Sequence, residues 1–365
     1  MANRFIDLAA PGLAALKPYV PGKPVSELER ELGVRNSIKL ASNENPLGPA
    51  PSVVRAIQAE LPQLARYPDG GAFQLRAALA ELHGVSPASV TVGNGSNDVL
   101  DMIARAFLCQ GRESLFSEYA FAVYPICSMA VGAKAIVAPA TDYGHDLDAM
   151  RARITSRTAV VWIANPNNPT GTLLREAELR AFVEAVPANV ICVVDEAYFE
   201  YVDDDGYPDA SRWLGEFDNL VVTRTFSKAY GLAALRVGYG LSHPDVAGLL
   251  NRVRQPFNVD SLAQVAALAA LRDREHLQQS VAINARGMRQ LVDGVRALGL
   301  DHIPSYGNFL TINLGREAAV VDRSLLQQGV ITRPVANYGL PNHLRVSIGL
   351  EAENARFLEA LERVL

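Results

Sequence analysis

Lys228 could act as an amine nucleophile. It lies in the segment 221–239, where an apolar stretch ends at a Ser-Lys pair and Arg236 follows eight residues later. Phe226 and Tyr230 flank the lysine, and burial beside such rings would lower the pKa of the amine so that it can attack an aldehyde. Taken alone, Lys228 could equally be a solvated lysine in a loop, since most lysines are exposed.

An acidic residue follows another apolar stretch. Asp195 comes directly after the run Val190–Val194, at the carboxyl end of a predicted strand, where open α/β sheets bind ligands. A buried acid there needs a partner, such as a cationic ring nitrogen or a metal ion. The histidines show no HExxH or similar ligand spacing. We therefore predict a cationic ligand at Asp195 and no metal site.

Two further loops could supply hydrogen-bond donors. The loop IANPNNPTG, residues 163–171, could be an ordinary turn or could hold an amide rigidly between prolines. The loop VGNGSND, residues 92–98, leads into a predicted helix whose first N–H groups could bind a phosphate or simply be capped. It has neither the third glycine of a dinucleotide fingerprint nor the GK[ST] of a P-loop.

Alternating strand and helix patterns must position these groups. Strands are predicted at 90–92, 114–116, 135–138, 159–163, 190–194 and 220–223, and helices at 52–61, 72–82 and 96–108. Such alternation predicts an α/β fold with a mostly parallel sheet flanked by helices. The carboxyl ends of its strands would bring the candidate residues to one edge.

Beyond Pro256 the pattern changes to long helices and separated strands. Helices are predicted at 261–272, 275–298 and 351–365, and strands at 309–313, 330–332 and 344–348. This texture predicts a smaller α+β domain. We predict a large domain at residues 52–258, with residues 1–51 as an N-terminal arm and residues 259–365 as the small C-terminal domain.

Composition narrows the class of protein. The 365 residues are 49% hydrophobic and 20% charged, which is typical of a folded globular chain. A net charge of −5 provides no basic field for nucleic acid or anionic lipid, and no apolar run approaches the ~20 residues that span a bilayer. The three cysteines lack CxxC spacing and are predicted to be buried, reduced thiols. We predict a cytoplasmic protein that binds neither nucleic acid nor membrane.

The order of these motifs resembles the fold-type I pyridoxal-phosphate-dependent aminotransferases, and within them the histidinol-phosphate aminotransferase branch. The resemblance covers nearly the whole chain, through PYVPGKP, LASNENPLGP, RYPDG, GNGSND, ANPNNPTG, DEAYFEY, TFSKAYGLAALRVGY and RPVANYGLPNHLRVSIG. It implies that the large domain binds pyridoxal phosphate. The implied reaction exchanges an amino group between L-glutamate and imidazole acetol phosphate, giving L-histidinol phosphate and 2-oxoglutarate in histidine biosynthesis.

The resemblance also implies roles for individual residues. Lys228 would form the internal aldimine with pyridoxal phosphate and move a proton between the substrate Cα and the cofactor. Asp195 would pair with the pyridine nitrogen, and Asn168 and Tyr198 would hydrogen-bond the ring oxygen. The cofactor phosphate would be held by Gly95, Ser96, Asn97, Ser227 and Arg236.

Two aromatic residues receive implied roles at the cofactor. Phe121 in FAVYP would cover one face of the ring, although core packing is an alternative. Tyr67 in RYPDG would reach the cofactor phosphate of a neighbouring subunit, which implies a homodimer with shared active sites. A surface tyrosine in a Pro-Gly turn is the alternative for Tyr67.

Four residues are implied to bind substrate. Arg345 would bind the α-carboxylate of glutamate and 2-oxoglutarate, and Arg333 the substrate phosphate. Tyr19 and Asn43 on the arm would close over the substrate. Arms and loops also carry polar residues merely to stay soluble, which remains the alternative for Arg333, Tyr19 and Asn43.

Departures from the family pattern leave rival functions open. Tyr119 and Ala120 stand where Pro and Thr are common, and Asn97 replaces a frequent Asp. One rival is an aromatic amino-acid aminotransferase of the same branch, and another is a lyase similar to threonine-phosphate decarboxylase. A non-catalytic module fused to a DNA-binding segment is disfavoured, since the chain has no basic helix-turn-helix extension.

Overall fold

The computed structural model describes residues 4–9, 12–18 and 21–365, so Tyr19 lies outside the described residues. Its strands are β1 Ile38–Lys39, β2 Val90–Gly93, β3 Glu113–Ser117, β4 Lys134–Ala138, β5 Ala140–Thr141, β6 Gly144–His145, β7 Thr158–Ala164, β8 Ile191–Asp195, β9 Leu220–Thr225, β10 Gly238–Ser242, β11 Asp301–Ile303, β12 Phe309–Asn313, β13 Val330–Ile331, β14 Arg333–Val335 and β15 Leu340–Ser347. Its α-helices are α1 Val25–Leu32, α2 Pro51–Glu60, α3 Phe73–His83, α4 Ser96–Phe107, α5 Val123–Ala130, α6 Leu147–Arg151, α7 Glu176–Ala185, α8 Pro244–Val253, α9 Ser261–Arg272, α10 Arg274–Ala297, α11 Ala318–Gln327 and α12 Glu351–Val364.

A seven-stranded sheet forms the centre of the fold, in the order β2-β10-β9-β8-β7-β3-β4. Its strands are parallel except β10, which is antiparallel to both neighbours. Successive residues of β7 face opposite apolar clusters, with Val161 and Ile163 in one and Val160 and Trp162 in the other. Burial on both faces explains the continuous apolar strands of the sequence. The predicted α/β fold with a mostly parallel sheet flanked by helices is confirmed.

Strand β10 was not predicted, because its sequence GYGLS contains two glycines and resembles a loop. The structure shows why these glycines lie in a strand. A Cβ at Gly238 would overlap the backbone nitrogen of Ser96, and one at Gly240 would crowd Val99. The missing side chains therefore let α4 approach the sheet closely.

The C-terminal part is built on a four-stranded antiparallel sheet, in the order β11-β12-β15-β14. Helices α10, α11 and α12 supply apolar residues to the cluster on this sheet. The arm also holds the helix α1, and its strand β1 pairs in parallel with β13. The predicted boundary between the large and small domains at residue 258 stays a prediction. The helix α9, which follows this boundary, packs against α2 in an apolar cluster of the central sheet.

Two smaller expectations concern thiols and membranes. Cys127 and Cys192 are buried as predicted, but the prediction was wrong for Cys109, which is exposed in the turn after α4. Within the described ranges, none of the helices combines the length and the apolar character needed to cross a bilayer.

Candidate active site

A cleft opens where β7, β8 and β9 end and the arm and β15 close over them. The predicted site residues that line it are Asn43, Ser96, Asn97, Phe121, Asn168, Asp195, Tyr198, Ser227, Lys228, Arg236 and Arg345. Gly95 lies behind Arg236, while Arg333 and Tyr67 are not part of this lining. The structure therefore brings together residues that are up to 302 positions apart in the chain, from Asn43 to Arg345.

Asp195 ends β8 at the floor of the cleft and is only 4% exposed. Its two carboxylate oxygens accept hydrogen bonds from the hydroxyls of Tyr124, at 2.9 Å, and Thr223, at 2.7 Å. Burial raises the pKa of Asp195 above its usual value, while these two hydrogen bonds and the charge of Lys228 oppose the rise. The acid is held in one orientation by neutral donors.

Sequence reasoning missed Tyr124 and Thr223. Tyr124 is fully buried on α5 and stacks on Trp162, with ring centroids 5.3 Å apart. Thr223 lies opposite Asp195 in the parallel register of β8 and β9. The pairing of these strands reveals the contact, and the only signal in the sequence is that Thr223 lies two residues before the cleft residue Thr225, on the same face of β9.

Lys228 follows β9 and projects into the same cleft. Its Nζ donates to the backbone oxygen of Ser42 at 3.2 Å and lies 5.6 Å from the centre of the Tyr198 ring. Burial, and then the positive charge of Arg345, lower the pKa of Lys228 to about 7. At neutral pH a large share of the Lys228 amine is therefore unprotonated. The unprotonated amine is the form that attacks a carbonyl carbon.

Tyr198 and Asn43 form one wall of the cleft. The Asn43 Nδ2 donates to the Tyr198 hydroxyl oxygen at 2.9 Å. Burial raises the pKa of Tyr198 to about 12, so its hydroxyl keeps its proton. Both polar atoms of the Asn43 amide are engaged, since Oδ1 accepts from the Ser347 hydroxyl at 3.2 Å. The predicted contact between Asn43 and substrate stays a prediction.

Arg345 projects from β15 over the cleft. Its guanidinium donates to Asn168 Oδ1 at 2.6 Å and to the Ala41 backbone oxygen at 2.7 Å. Arg333 lies directly opposite Arg345 in the antiparallel register of β14 and β15. Facing residues of such a pair have neighbouring side chains, and like charges there repel. An anion between the two guanidinium groups would relieve that repulsion.

The N-terminus of α4 forms another end of the cleft. Ser96 and Asn97 are its first two residues, and Arg236 donates to the Ser227 hydroxyl at 3.1 Å. A Cβ on Gly95 would overlap the Arg236 guanidinium, so the glycine allows this arginine to lie against the start of the helix. Free N–H groups, the helix dipole, two hydroxyls and a guanidinium make a site for a phosphate group.

The donor set fits pyridoxal phosphate. Asp195 is buried, and no ion pair joins it to a residue in the described part of the chain. A carboxylate in such a place suits a cationic pyridine nitrogen. The α4 terminus with Arg236 suits the phosphate, and the low-pKa amine of Lys228 suits the aldehyde. Phe121 lines the cleft between them, edge-on to Tyr124 at 5.8 Å.

Tyr67 lies apart from this cleft. Its side chain is 82% exposed and stacks on Phe257, with ring centroids 4.6 Å apart. Leu61, Leu64 and Phe73 are also exposed in the segments on either side of it along the chain. Large apolar side chains in the open are typical of a surface that meets another protein.

Comparison with known proteins gives consistent matches. The family model for aminotransferase class I and II matches residues 35–361. The chain is 59% identical over 367 aligned residues to histidinol-phosphate aminotransferase 2 of Pseudomonas fluorescens, covering 100% of this chain and 99% of the relative. Histidinol-phosphate aminotransferase 2 of Pseudomonas aeruginosa is 58% identical over 363 residues, covering 99% and 98%.

A solved structure agrees in shape. The crystal structure of histidinol-phosphate aminotransferase from Sinorhizobium meliloti, in complex with pyridoxal-5'-phosphate, superposes with a TM-score of 0.90 at 30% identity. The alignment covers 100% of this chain and 98% of that one. The chain therefore belongs to the pyridoxal-phosphate-dependent aminotransferases of class I and II, and within them to the histidinol-phosphate aminotransferases.

Proposed function

We propose that this protein interconverts L-histidinol phosphate and 2-oxoglutarate with imidazole acetol phosphate and L-glutamate, using pyridoxal phosphate held covalently by Lys228. The observation that carries the proposal is the meeting of Lys228, Asp195 and Arg345 in one cleft. A low-pKa amine, a buried acid and a guanidinium together serve amine exchange on anionic substrates. The relatives named above support the choice of substrates.

Pyridoxal phosphate, when bound, supplies an aldehyde that carries the amino group and a protonated ring that accepts electrons. Asp195 holds the proton on the ring nitrogen. The helix terminus at Ser96, with Ser227 and Arg236, binds the phosphate group. Tyr198, Asn168 and Phe121 line the same cleft. Tyr198 and Asn168 would hydrogen-bond the ring oxygen, and Phe121 would cover a ring face.

Lys228 has a second task as general base and acid. Its Nζ would take the proton from the substrate Cα and return it at the cofactor carbon that carries the amino group. A pKa of about 7 suits both directions, because the amine can accept and release a proton at neutral pH. Burial in the cleft keeps bulk water from competing for that proton.

The facing arginines Arg345 and Arg333 favour a substrate that carries a phosphate group. Arg345 alone suffices for the single charge of an α-carboxylate, in a forked contact. Arg333 in the facing position adds a second guanidinium, which favours a group with nearly two negative charges. A phosphate monoester has this charge, whereas the aromatic oxo acids of the rival function do not.

We also propose a homodimer in which Tyr67 enters the partner's active site. The exposed stacked pair of Tyr67 and Phe257, with its apolar neighbours, supports an interface there. A cytoplasmic location stays a prediction from the sequence.

The deciding experiment compares kcat/KM of the cofactor-loaded enzyme for histidinol phosphate and for phenylalanine, each with 2-oxoglutarate. A large preference for histidinol phosphate is expected. A preference for phenylalanine would move the protein to aromatic transamination with the same residues. Release of carbon dioxide without an amino acceptor would instead identify a lyase.

A further inference from the structure

A hydrogen-bonded chain leads from β15 to the cleft through the arm. The Ser347 hydroxyl accepts from the Asn43 backbone nitrogen at 2.7 Å and donates to Asn43 Oδ1 at 3.2 Å. The Asn43 Nδ2 then donates to the Tyr198 oxygen at 2.9 Å. Asn43 is 1% exposed and Ser347 3% exposed, so water has little access to this chain.

The directions of these bonds are set by chemistry. A carboxamide has a donor end and an acceptor end of nearly the same shape, and its neighbours decide which end faces which way. The Ser347 hydroxyl attracts the Asn43 oxygen, so the nitrogen faces Tyr198. Because that nitrogen can only donate, the Tyr198 oxygen must accept, and its own proton is free to be donated elsewhere.

We propose that Ser347, acting through Asn43, directs the Tyr198 hydroxyl proton into the cleft, and is thus a positioning residue for the reaction. The inference rests on the proposed function, in which the acceptor is the ring oxygen of pyridoxal phosphate. Ser347 does not line the cleft, so it acts only through its neighbours. Without its hydroxyl, the Asn43 amide can turn its oxygen toward Tyr198 and capture the proton.

The backbone around Asn43 is held independently of this amide. Asn308 Nδ2 donates to the Asn43 backbone oxygen at 2.9 Å, and Asn45 donates to Ser280 at 2.8 Å. Ser347→Ala would remove the hydroxyl that accepts from the Asn43 backbone nitrogen, but the Ser347 backbone nitrogen would still donate to the Leu40 backbone oxygen at 2.8 Å. The arm therefore keeps a backbone tie to β15 in this variant. The charged and titratable groups that face Tyr198 are Lys228, Arg345, Asp195, Tyr338, Tyr124 and Tyr201. The Ser347 hydroxyl bonds to Asn43 and to none of these groups.

The test is a pH titration of the visible absorption of the holoenzyme, which reports the proton on the nitrogen that joins Lys228 to the cofactor. A hydrogen bond donated to the ring oxygen stabilises its negative charge, so loss of this donor makes the oxygen hold the neighbouring proton more tightly. Tyr198→Phe and Ser347→Ala should both raise the apparent pKa, the second by about 0.5 or more. Ser347→Thr keeps a hydroxyl and should titrate like wild type.

Ser280→Ala is the matched control. It removes another buried hydroxyl, 2% exposed, that ties the arm to the C-terminal part through Asn45 but forms no hydrogen bond with Tyr198 or with the Asn43 amide. Its titration should stay unchanged. In a Tyr198→Phe background, Ser347→Ala should cause no further rise. An equal rise in that background, an equal rise in Ser280→Ala, or an unchanged titration in Ser347→Ala would each overturn the proposal.

Failure of this inference must be distinguished from a variant that does not fold and from failure of the proposed function. If Ser347→Ala does not fold, Asn43→Asp places an acceptor-only carboxylate against Tyr198, and its rise in apparent pKa should exceed the rise that the added charge alone causes in a Tyr198→Phe background. Equal rises in the two backgrounds would overturn the inference. If the wild-type protein shows no visible band that Lys228→Ala removes, the proposed function fails. If the wild-type protein shows the band but the titration of Ser347→Ala is not shifted, this inference is rejected and the proposed function stands.

Discussion

At the scale of single residues, the amine of Lys228 is unusual because burial and Arg345 bring its pKa to about 7. Below that pH the folded chain holds the amine protonated, and above it the amine is neutral and reactive. The rate at which the apoprotein captures pyridoxal phosphate should therefore rise about tenfold per pH unit below 7 and level off above it. Stopped-flow absorbance between pH 5 and 9 measures this rate.

Two variants control that profile. Lys228→Ala should capture no cofactor while keeping its fold by circular dichroism. Arg345→Gln removes a positive charge that lowers the pKa of Lys228, so the profile should move to higher pH. A capture rate independent of pH would remove Lys228 from its proposed role.

Arg333 permits a test of substrate choice at the same scale. Arg333→Ala should lower kcat/KM for histidinol phosphate by roughly 10- to 100-fold, the worth of a charge-assisted hydrogen bond, and that for glutamate far less. Arg323→Ala, on the exposed face of α11, is the matched control and should change neither. Equal losses for both substrates would assign Arg333 to the stability of β14.

At the scale of elements, the phosphate site depends on how closely α4 meets β10. The Cβ in Gly238→Ala would overlap the Ser96 backbone nitrogen and displace the start of the helix. Overpacking of this kind costs about 1–3 kcal/mol, so affinity for pyridoxal phosphate should fall about tenfold. Fluorescence titration of the apoprotein measures the dissociation constant.

Gly248→Ala is the control for that substitution. A Cβ at Gly248, within α8, meets open space, and alanine is the better helix former. Its affinity for the cofactor should match wild type and its Tm should not fall. Unchanged affinity in Gly238→Ala would mean that the start of α4 does not bind the phosphate.

Element prediction succeeded where burial follows a simple pattern. The strands β7, β8 and β9 are buried along their whole length, so their apolar runs mark them in the sequence. It failed for β10, where close packing demands glycine, and for α1, whose sequence VSELEREL follows a Pro-rich stretch. The glycines of β10 are explained only by residues that neighbour the strand in space. The prolines before α1 obscured its helical pattern.

At the scale of the whole molecule, the proposed homodimer makes each active site a product of two chains. A hybrid of one Lys228→Ala subunit and one Tyr67→Ala subunit has one site with both residues intact. Purified through two different tags, this hybrid should regain about half of the wild-type activity, while each parent dimer stays impaired. A hybrid no more active than the mean of its parents would place Tyr67 outside the partner's site.

The sequence by itself determined the family, the α/β class and most residues of the cleft. It could do so because motifs such as TFSKAYGLAALRVGY and ANPNNPTG are local, and the site residues within each motif lie a few positions apart. Asp195 ends a strand of the central sheet, and Asn168 and Lys228 follow the two neighbouring strands, so the ends of parallel strands had to bring the three together.

Only the tertiary structure decided which side chains hold these residues in place. Tyr124 and Thr223 fix Asp195, and Ser347 reaches Asn43 across 304 positions of the chain. Such contacts join separate elements, and their partners are set by strand register and helix packing. No spacing in the sequence encodes them, because a hydrogen bond depends on distance in space and not on distance along the chain.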